Sequence, residues 1–359
     1  MKQSHIFLFW LPLFGSWLLM SLEGAIITSL VSRLPEPVIM LAAFGVVLGL
    51  SVLIQSPCIN LLATSTAKSG DYEGYLLVRR FTIHMLTVLT VLTVLIAYTP
   101  LFDIVVRQGM GVPTDIAEHV RVGMRINILW SASVGWRRFQ QGVLIRFNRP
   151  KTVVAGTVIR LITGTFAAIM LIQFTNASGI VVGAWTLQIA VFSEALYATL
   201  ATRPLFREEL TPENVSDGPP LTYQDLFFFH LPLAGTAMLA LLVQPLAVFS
   251  LARLPNATLS LAAWPILFQL LFIYRAPAMA TPEVIIALNK NDETKQALLR
   301  FVGLLSVATL LATILFVFTP LQSLYLNVLQ DLPQPVSRLV LVGLWSILLF
   351  PILNVIVFG

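Results

Sequence analysis

The sequence predicts an all-α integral membrane protein made of two pseudo-symmetric helical bundles. Three observations carry that reading. Hydrophobic residues fill 57% of the 359 positions and charged residues only 11%, with a mean hydropathy of +0.86, whereas soluble domains carry roughly a quarter charged residues. About ten apolar stretches approach the ~20 residues that a helix needs to cross a bilayer. The chain also repeats itself 220 positions later, so that Phe9-Trp10-Leu11-Pro12-Leu13 returns as Phe229-His230-Leu231-Pro232-Leu233. The register then holds without a gap. Arg33-Leu34-Pro35 matches Arg253-Leu254-Pro255, Leu41-Ala42-Ala43 matches Leu261-Ala262-Ala263, and Pro57 matches Pro277. Arg80-Phe81 and Arg300-Phe301, Thr99-Pro100-Leu101 and Thr319-Pro320-Leu321, Pro113 and Pro333, and Val122-Gly123 and Val342-Gly343 continue it. A repeated multi-helix unit in a membrane chain is the usual signature of a transporter whose halves rock about a central site.

The spans are expected at 6–32, 37–64, 75–99, 115–146, 151–174, 179–201, 222–252, 257–286, 295–319 and 336–358. The first apolar stretch is too long for a signal-peptide core and is followed at once by further spans, so it reads as a retained helix. Pro12, Pro57, Pro232, Pro245, Pro265 and Pro277 fall inside or near the ends of these helices, where they free carbonyls and permit bends. Lys2, Lys68, Arg79, Arg80, Arg137, Arg138, Arg146, Arg149, Lys151, Arg203, Arg207, Lys290, Lys295 and Arg300 fall on one side of the membrane. Arg33, Arg107, Arg121, Arg253 and Arg338 fall on the other. The positive-inside rule then makes the N-terminus cytoplasmic. The polar stretch from Thr202 to Pro220 reads as a cytoplasmic linker, giving an N-terminal bundle at 1–201, a linker at 202–220 and a C-terminal bundle at 221–359. Six helices precede the linker and four follow. Gly359 corresponds to Phe139 of the first repeat, so the second repeat is expected to be incomplete against a twelve-helix pattern.

Composition excludes several classes. A lone Cys58 rules out an internal disulfide, and four scattered histidines give no metal-ligand spacing. The net charge of +5 follows membrane topology, since the basic residues lie in loops between apolar segments, so no nucleic-acid partner is expected. With no phosphate-binding loop and no Gly-x-Ser-x-Gly elbow, neither an ATP motor nor another enzyme is indicated, and no cofactor is expected beyond a coupling H⁺ or Na⁺.

Ionisable groups at membrane depth mark the candidate site. Glu23, inside the first span, reads either as a proton- or sodium-responsive carboxylate or as the partner of a buried arginine. Arg121 and Arg125 share a helix face. Arg125 lies about three turns in, where a guanidinium suits a carboxylate or phosphate ligand or pairs with Glu23 or Glu194. Arg160 and Arg275 sit in similar apolar runs. Against these, only Glu23, Glu194 and Glu283 supply carboxylates, so the interior is arginine-rich and the expected cargo anionic. Arg125, Arg160, Arg275 and Gln244 are the substrate-binding candidates, and Glu23 and Glu194 the ion-coupling candidates. Arg137, Arg138 and Arg146 are expected at the solvated cytoplasmic end of a long helix. Gln188, Gln269 and His230 read as substrate contacts or interhelical hydrogen-bond partners, and His84 as a lone titratable group.

Phe9-Trp10-Leu11-Pro12-Leu13, the Leu41-Ala42-Ala43-Phe44-Gly45 run and Gly142-Val143-Leu144-Ile145-Arg146 together resemble the MATE and polysaccharide-flippase (MOP) exporter superfamily. Within it they are most similar to the ANKH-type (progressive ankylosis) branch. The resemblance implies export of small organic anions such as citrate, pyrophosphate or nucleotides, in agreement with the arginine inventory. The expectation is therefore a monomeric secondary transporter in a plasma membrane, a bacterial inner membrane in particular, working by alternating access. Alternatives on the same fold are a proton- or sodium-coupled multidrug antiporter and a flippase for lipid-linked anionic headgroups. A scaffold without transport is the alternative of another class.

Overall fold

The computed structural model describes residues 3–213, 221–288, 292–346 and 348–358, and among them there is no strand. Helix α1 (Gln3–Val31) is followed by α2 (Pro37–Gln55), a 3₁₀ turn at Ser56–Cys58, α3 (Leu61–Lys68) and α4 (Tyr72–Tyr98). After a π-helical turn at Asp103–Gly109 come α5 (Thr114–Ile126), a 3₁₀ turn at Asn127–Leu129, and α6 (Trp130–Arg146). Then follow α7 (Pro150–Phe174), α8 (Gly179–Thr202) and the short α9 (Leu205–Glu208). The second repeat runs through α10 (Tyr223–Leu241), α11 (Val243–Leu251), α12 (Ala257–Met279) and α13 (Thr281–Leu288). It ends with α14 (Asp292–Phe318), α15 (Leu321–Ser323), a second π-helical turn at Leu324–Leu329, α16 (Gln334–Ser346) and α17 (Phe350–Phe358). Lys2, residues 214–220 of the expected linker, and Lys290 lie outside the described residues.

Eight of these segments are long and apolar enough to cross a membrane, and the pair Gln334–Ser346 and Phe350–Ile356, bent by 42°, makes a ninth. The chain is a multi-pass membrane protein. Ten spans were expected, and the difference lies at 115–146. That stretch is split into α5 and α6, of 13 and 17 residues, and carries Arg121, Arg125, Arg137 and Arg138. Prolines stand both at other interruptions and within unbroken helices. Pro57 sits in the 3₁₀ turn that ends α2, Pro245 in the first turn of α11, and Pro265 and Pro277 within α12.

The 220-residue register extends to backbone irregularities that sequence does not display. Both π turns close with bonds to the fifth residue back, Met110 N–H to the Val105 carbonyl at 2.9 Å and Gln330 N–H to the Tyr325 carbonyl at 2.8 Å. Wider bonds follow, Val112 N–H to Val106 at 3.1 Å and Leu332 N–H to Leu326 at 3.0 Å. Each turn then passes through the left-handed region at matching positions, Gly111 (φ 73°) and Asp331 (φ 49°). Glycine has no Cβ to clash there, and aspartate is among the few side-chain-bearing residues that tolerate it.

The described residues gather into two compact units, Met1–Leu41 with Ala262–Gly359, and Ala42–Leu261. Each unit joins the first helix of one repeat to later helices of the other, and the boundary falls at the same register in both. In the first unit Trp10 Nε1 donates to the Pro277 carbonyl at 3.2 Å and the Trp10 ring meets Phe301 edge-on at 6.0 Å. In the second, a His230 ring nitrogen bonds the Pro57 carbonyl at 3.0 Å and the ring meets Phe81 edge-on at 5.3 Å. These are the same contacts 220 residues apart. Gly24 faces Gln269 in one unit, and Gln244 faces Gly49 in the other, so each crossing has one residue without a side chain and one with an amide.

Within the second unit, α6 lies on α3 through Gly142. A Cβ there would stand 2.5 Å from the Leu62 carbonyl oxygen and 2.6 Å from Ser65 Cβ, whereas one on Gly235 of α10 meets nothing within 4 Å. Gly142→Ala is expected to destabilise by about 1–3 kcal/mol through overpacking. Gly235→Ala should leave stability level or raise it by up to about 1 kcal/mol. Thermal unfolding of both variants in one detergent checks the contrast, and equal melting temperatures would refute the packing of α3 on α6.

Candidate functional site

The densest group of charges at membrane depth lies in the second unit, where α6, α7 and α8 meet. Helix α7 comes close to α8 because its buried residues are Gly156, Gly164 and Ala168. A Cβ on Gly156 would touch Glu194 Cγ at 3.4 Å, and one on Gly164 would crowd Ala190 Cβ at 2.9 Å. The close approach brings polar side chains of three helices onto a single carboxylate. Arg137 and Gln141, one turn apart on α6, share a face. Arg137 Nη1 reaches Glu194 Oε2 at 2.7 Å, and Gln141 Nε2 donates to Oε1 at 3.0 Å. From α7, Arg160 Nη1 stands 3.6 Å from Oε2 and Thr157 Oγ1 3.5 Å from Oε1.

Glu194 is fully enclosed and Arg137 is 4% exposed. Burial of that depth is tolerable for a charge only when it is paired and hydrogen-bonded, and Arg137, Gln141 and Thr157 as hydrogen-bond donors with Arg160 as a second ion-pair partner meet that requirement for Glu194. The polar seam continues along α8 on both sides. Thr202 Oγ1 donates to Gln140 Oε1 at 3.0 Å, Trp136 Nε1 to Thr199 Oγ1 at 2.8 Å, and Gln188 Nε2 to Ser133 Oγ at 3.3 Å. Thr163 and Ser193 hydroxyls lie 2.6 Å apart between α7 and α8. Three hydrogen-bond donors and one ion-pair contact thus surround a single carboxylate.

Of the residues singled out from sequence, Arg160 and Glu194 are brought together. Arg125 is placed elsewhere. It is exposed, its Nε points to the Ala97 carbonyl at 3.4 Å, and its guanidinium lies over the Tyr98 ring at 4.8 Å. Tyr98 ends the span of α4, so Arg125 stands at a membrane edge and not three turns inside. Long side chains on a helix point back toward its N-terminus, which carries the charge outward. Its neighbour Arg121 donates to both Asp103 oxygens at 2.9 and 3.1 Å and caps the first π turn. Gln244 is buried beside Gly49 in the second unit. Glu23, buried on α1, and Arg275, half-buried on α12 with Phe350 at 6.0 Å, belong to the first unit. The Glu283 side chain lies outside the described residues.

Arg137 corrects the sequence reading. Expected at a solvated helix end, it lies inside the bundle because α6 begins only at Trp130, after the Asn127–Leu129 break, and stays buried almost to its end. Arg146 is exposed as expected and Arg138 is half-buried. The signal available in sequence was the four-residue spacing of Arg137 and Gln141, which puts two donors on one face. The positive-inside count concealed it.

No protein-family model and no curated protein sequence matches the chain. Solved structures do. An inward-facing multidrug resistance MATE family transporter of the MOP superfamily superposes with a TM-score of 0.63 at 17% identity, covering 95% of this chain and 78% of its own. A MOP superfamily transporter from Pyrococcus furiosus, described as having a binding pocket of reversed polarity that suggests a different function, gives 0.65 at 17%, covering 98% and 79%. A eukaryotic MATE transporter gives 0.60 at 15%, covering 99% and 80%. The chain therefore has the all-α membrane fold of MATE transporters.

Removing one partner of a buried ion pair costs about 3–5 kcal/mol, so Glu194→Ala should lower the melting temperature markedly. Glu194→Gln, which keeps the shape and part of the hydrogen bonding, should fall between it and the wild type. Arg125→Ala, at an exposed position, should stay within about 0.5 kcal/mol. Thermal unfolding of the three variants checks the order, and a Glu194→Ala protein as stable as Arg125→Ala would show that the cluster is not formed.

Proposed function

We propose that this chain is a secondary transporter that exports small organic anions by alternating access, with citrate-like or phosphate-bearing cargo. The observation that supports this best is the convergence of Arg137, Arg160, Gln141 and Thr157 on one carboxylate inside the membrane-spanning bundle. Guanidinium groups at this depth are costly, and they mark substrate or ion pathways. The MATE fold supplies the two-body scaffold for such a pathway. The Pyrococcus furiosus neighbour, described by its reversed pocket polarity, makes polarity the property to test.

In this reading an incoming carboxylate or phosphate exchanges with Glu194 for the donors of Arg137 and Arg160. Gln244 is a further candidate contact in the same unit, Arg275 a separate substrate-binding candidate in the other unit, and Arg125 an electrostatic guide at the membrane edge. Glu23 is the coupling carboxylate for H⁺ or Na⁺, and Glu194 couples through its exchange with cargo. For either ligand to drive the cycle, it must bind the inward and outward states differently. The finer kinship with ANKH-type exporters, a plasma-membrane location, a cytoplasmic N-terminus and a monomeric state belong to the same proposal. One observation favours the cation antiporter as a second reading: Glu23 is buried on a long apolar helix.

Loss of one charge-assisted contact to cargo costs about 1.5–3 kcal/mol, so Arg160→Gln should reduce anion export by about tenfold or more, and Arg125→Ala by much less. The measurement is the appearance of citrate and phosphate-bearing anions outside cells expressing each form. Equal export from cells with and without the chain would refute anion export. Export of a lipophilic cation that Glu23→Gln abolishes and Arg160→Gln spares would establish the antiporter.

A further inference from the structure

We propose that the exposed face of α4, with the start of α10, binds one anionic phospholipid. Its phosphate is held by Arg79, Arg80, His84 and Tyr223, and one acyl chain lies along the helix beyond them. Both helices belong to the unit Ala42–Leu261, and the site depends neither on the cargo nor on the Glu194 cluster.

Arg80, His84, Val88, Val91, Leu95 and Tyr98 follow one another at intervals of four, four, three, four and three residues, so they form one stripe along α4. All six are exposed, and Arg79 is exposed beside them. The span starts at Tyr72, which puts Arg80 about 12 Å and His84 about 18 Å along it. Exposed, apolar Leu76 comes before both. Among the described residues neither arginine forms an ion pair. Cations on the outer face of a span need a counter-charge. Side chains on a helix point back toward its start, and long basic ones reach the headgroup layer that way, so a lipid phosphate is the anion within reach.

Helix α10 adds Tyr223. Its hydroxyl is 3.1 Å from a His84 ring nitrogen, and its ring meets Phe81 edge-on at 5.6 Å. A phenol and an imidazole, both able to bond a phosphate, thus stand one turn from Arg80. Beyond them the stripe runs about 21 Å from His84 to Tyr98. An acyl chain has about 15 Å in one leaflet of a ~30 Å hydrocarbon core, so the track is long enough to hold one.

The second repeat separates these groups from what the fold requires. At the matching positions α14 carries Leu299 for Arg79, Arg300 for Arg80 and Leu304 for His84, and all three are exposed. Gln3 stands in place of Tyr223 and donates to the Ala297 carbonyl at 2.8 Å. Leu311, Leu315 and Phe318 continue an exposed apolar track. One arginine and the track are common to both repeats, as topology and lipid contact demand. The second cation, the imidazole and the phenol occur in the first repeat alone, and together they make a headgroup site there.

The test is native mass spectrometry of the full chain in detergent, stripped of lipid and titrated with phosphatidylglycerol or phosphatidylcholine. The wild type should hold one phosphatidylglycerol at least about fivefold more tightly than phosphatidylcholine, the effect of a single basic residue on an anionic lipid. Arg79→Leu with His84→Leu, which installs the residues of the second repeat, should abolish the preference. Arg80→Gln, a single exposed change, should reduce it severalfold and gives the same readout where the double variant does not fold. Arg300→Gln should leave it unchanged. Equal binding of the two lipids by the wild type would overturn the site. So would a preference that survives in the double variant or is lost equally in Arg300→Gln. Displacement of phosphatidylglycerol by inorganic phosphate at equal concentration would overturn it in favour of a free anion. A dimer in place of the lipid-bound monomer would overturn it in favour of a contact between copies.

Discussion

The architecture depends on satisfying backbone carbonyls that its own helix breaks set free inside a bilayer and at its edge. Lipid offers no donor, so each interrupted helix must find one within the protein. Here the donors at the π turns and at Pro57 and Pro277 come from the first helix of the other repeat. Arg33 serves the turn at Leu324–Leu329 and Arg253 the Met110 carbonyl that closes the turn at Asp103–Gly109, while Trp10 serves Pro277 and His230 serves Pro57. Breaking the helices and crossing the repeats are therefore one decision. A repeat with intact helices would not need the exchange, and one with these breaks needs the other repeat to complete it.

The two repeats meet the same requirement with different chemistry, which separates structural from chemical roles. Trp10 and His230 occupy one register position and both place a ring nitrogen on a proline carbonyl. A tryptophan does not titrate, so the shared role is donation. His230 is better explained as that donor, with Thr64 at its other nitrogen at 2.8 Å, than as a proton carrier. The first π turn is held by the Arg107–Asp103 ion pair at 3.2 Å, and the second by the Asn327–Ser323 hydrogen bond at 2.9 Å, in the same i, i+4 positions. What recurs is the geometry. The cluster around Glu194 lies in α6 to α8 of the first repeat.

Most of the helices, and the repeat that relates them, were legible in the sequence, because a 20-residue apolar run and a fixed 220-residue register are one-dimensional signals. Three features were not. The split of 115–146 at Asn127–Leu129 has no proline to announce it. The depth of Arg125 was misjudged because counting turns from a helix start ignores both the direction of the side chain and the height of the adjoining α4. Arg137 was hidden because a double arginine near a helix end looks like a topology signal until its partner is known. That partner, Glu194, is 57 residues away. Arg160 and Glu194 were both recognised as interior charges, but only packing through Gly156 and Gly164 shows that they belong together.

Under the proposed function, the distribution of charge over the two units has a physical consequence. Arg137, Arg160 and Glu194 all belong to the unit Ala42–Leu261, and Glu23 and Arg275 both belong to the other. Each unit thus carries its own carboxylate and its own arginine at membrane depth. Separating a buried charge from its partner in a low-dielectric medium costs several kcal/mol per ion. The Glu194 pairings all lie inside one unit. The exchange of Glu194 for a cargo anion then becomes a local event within α6, α7 and α8, in which one carboxylate replaces another and the arginines remain compensated throughout.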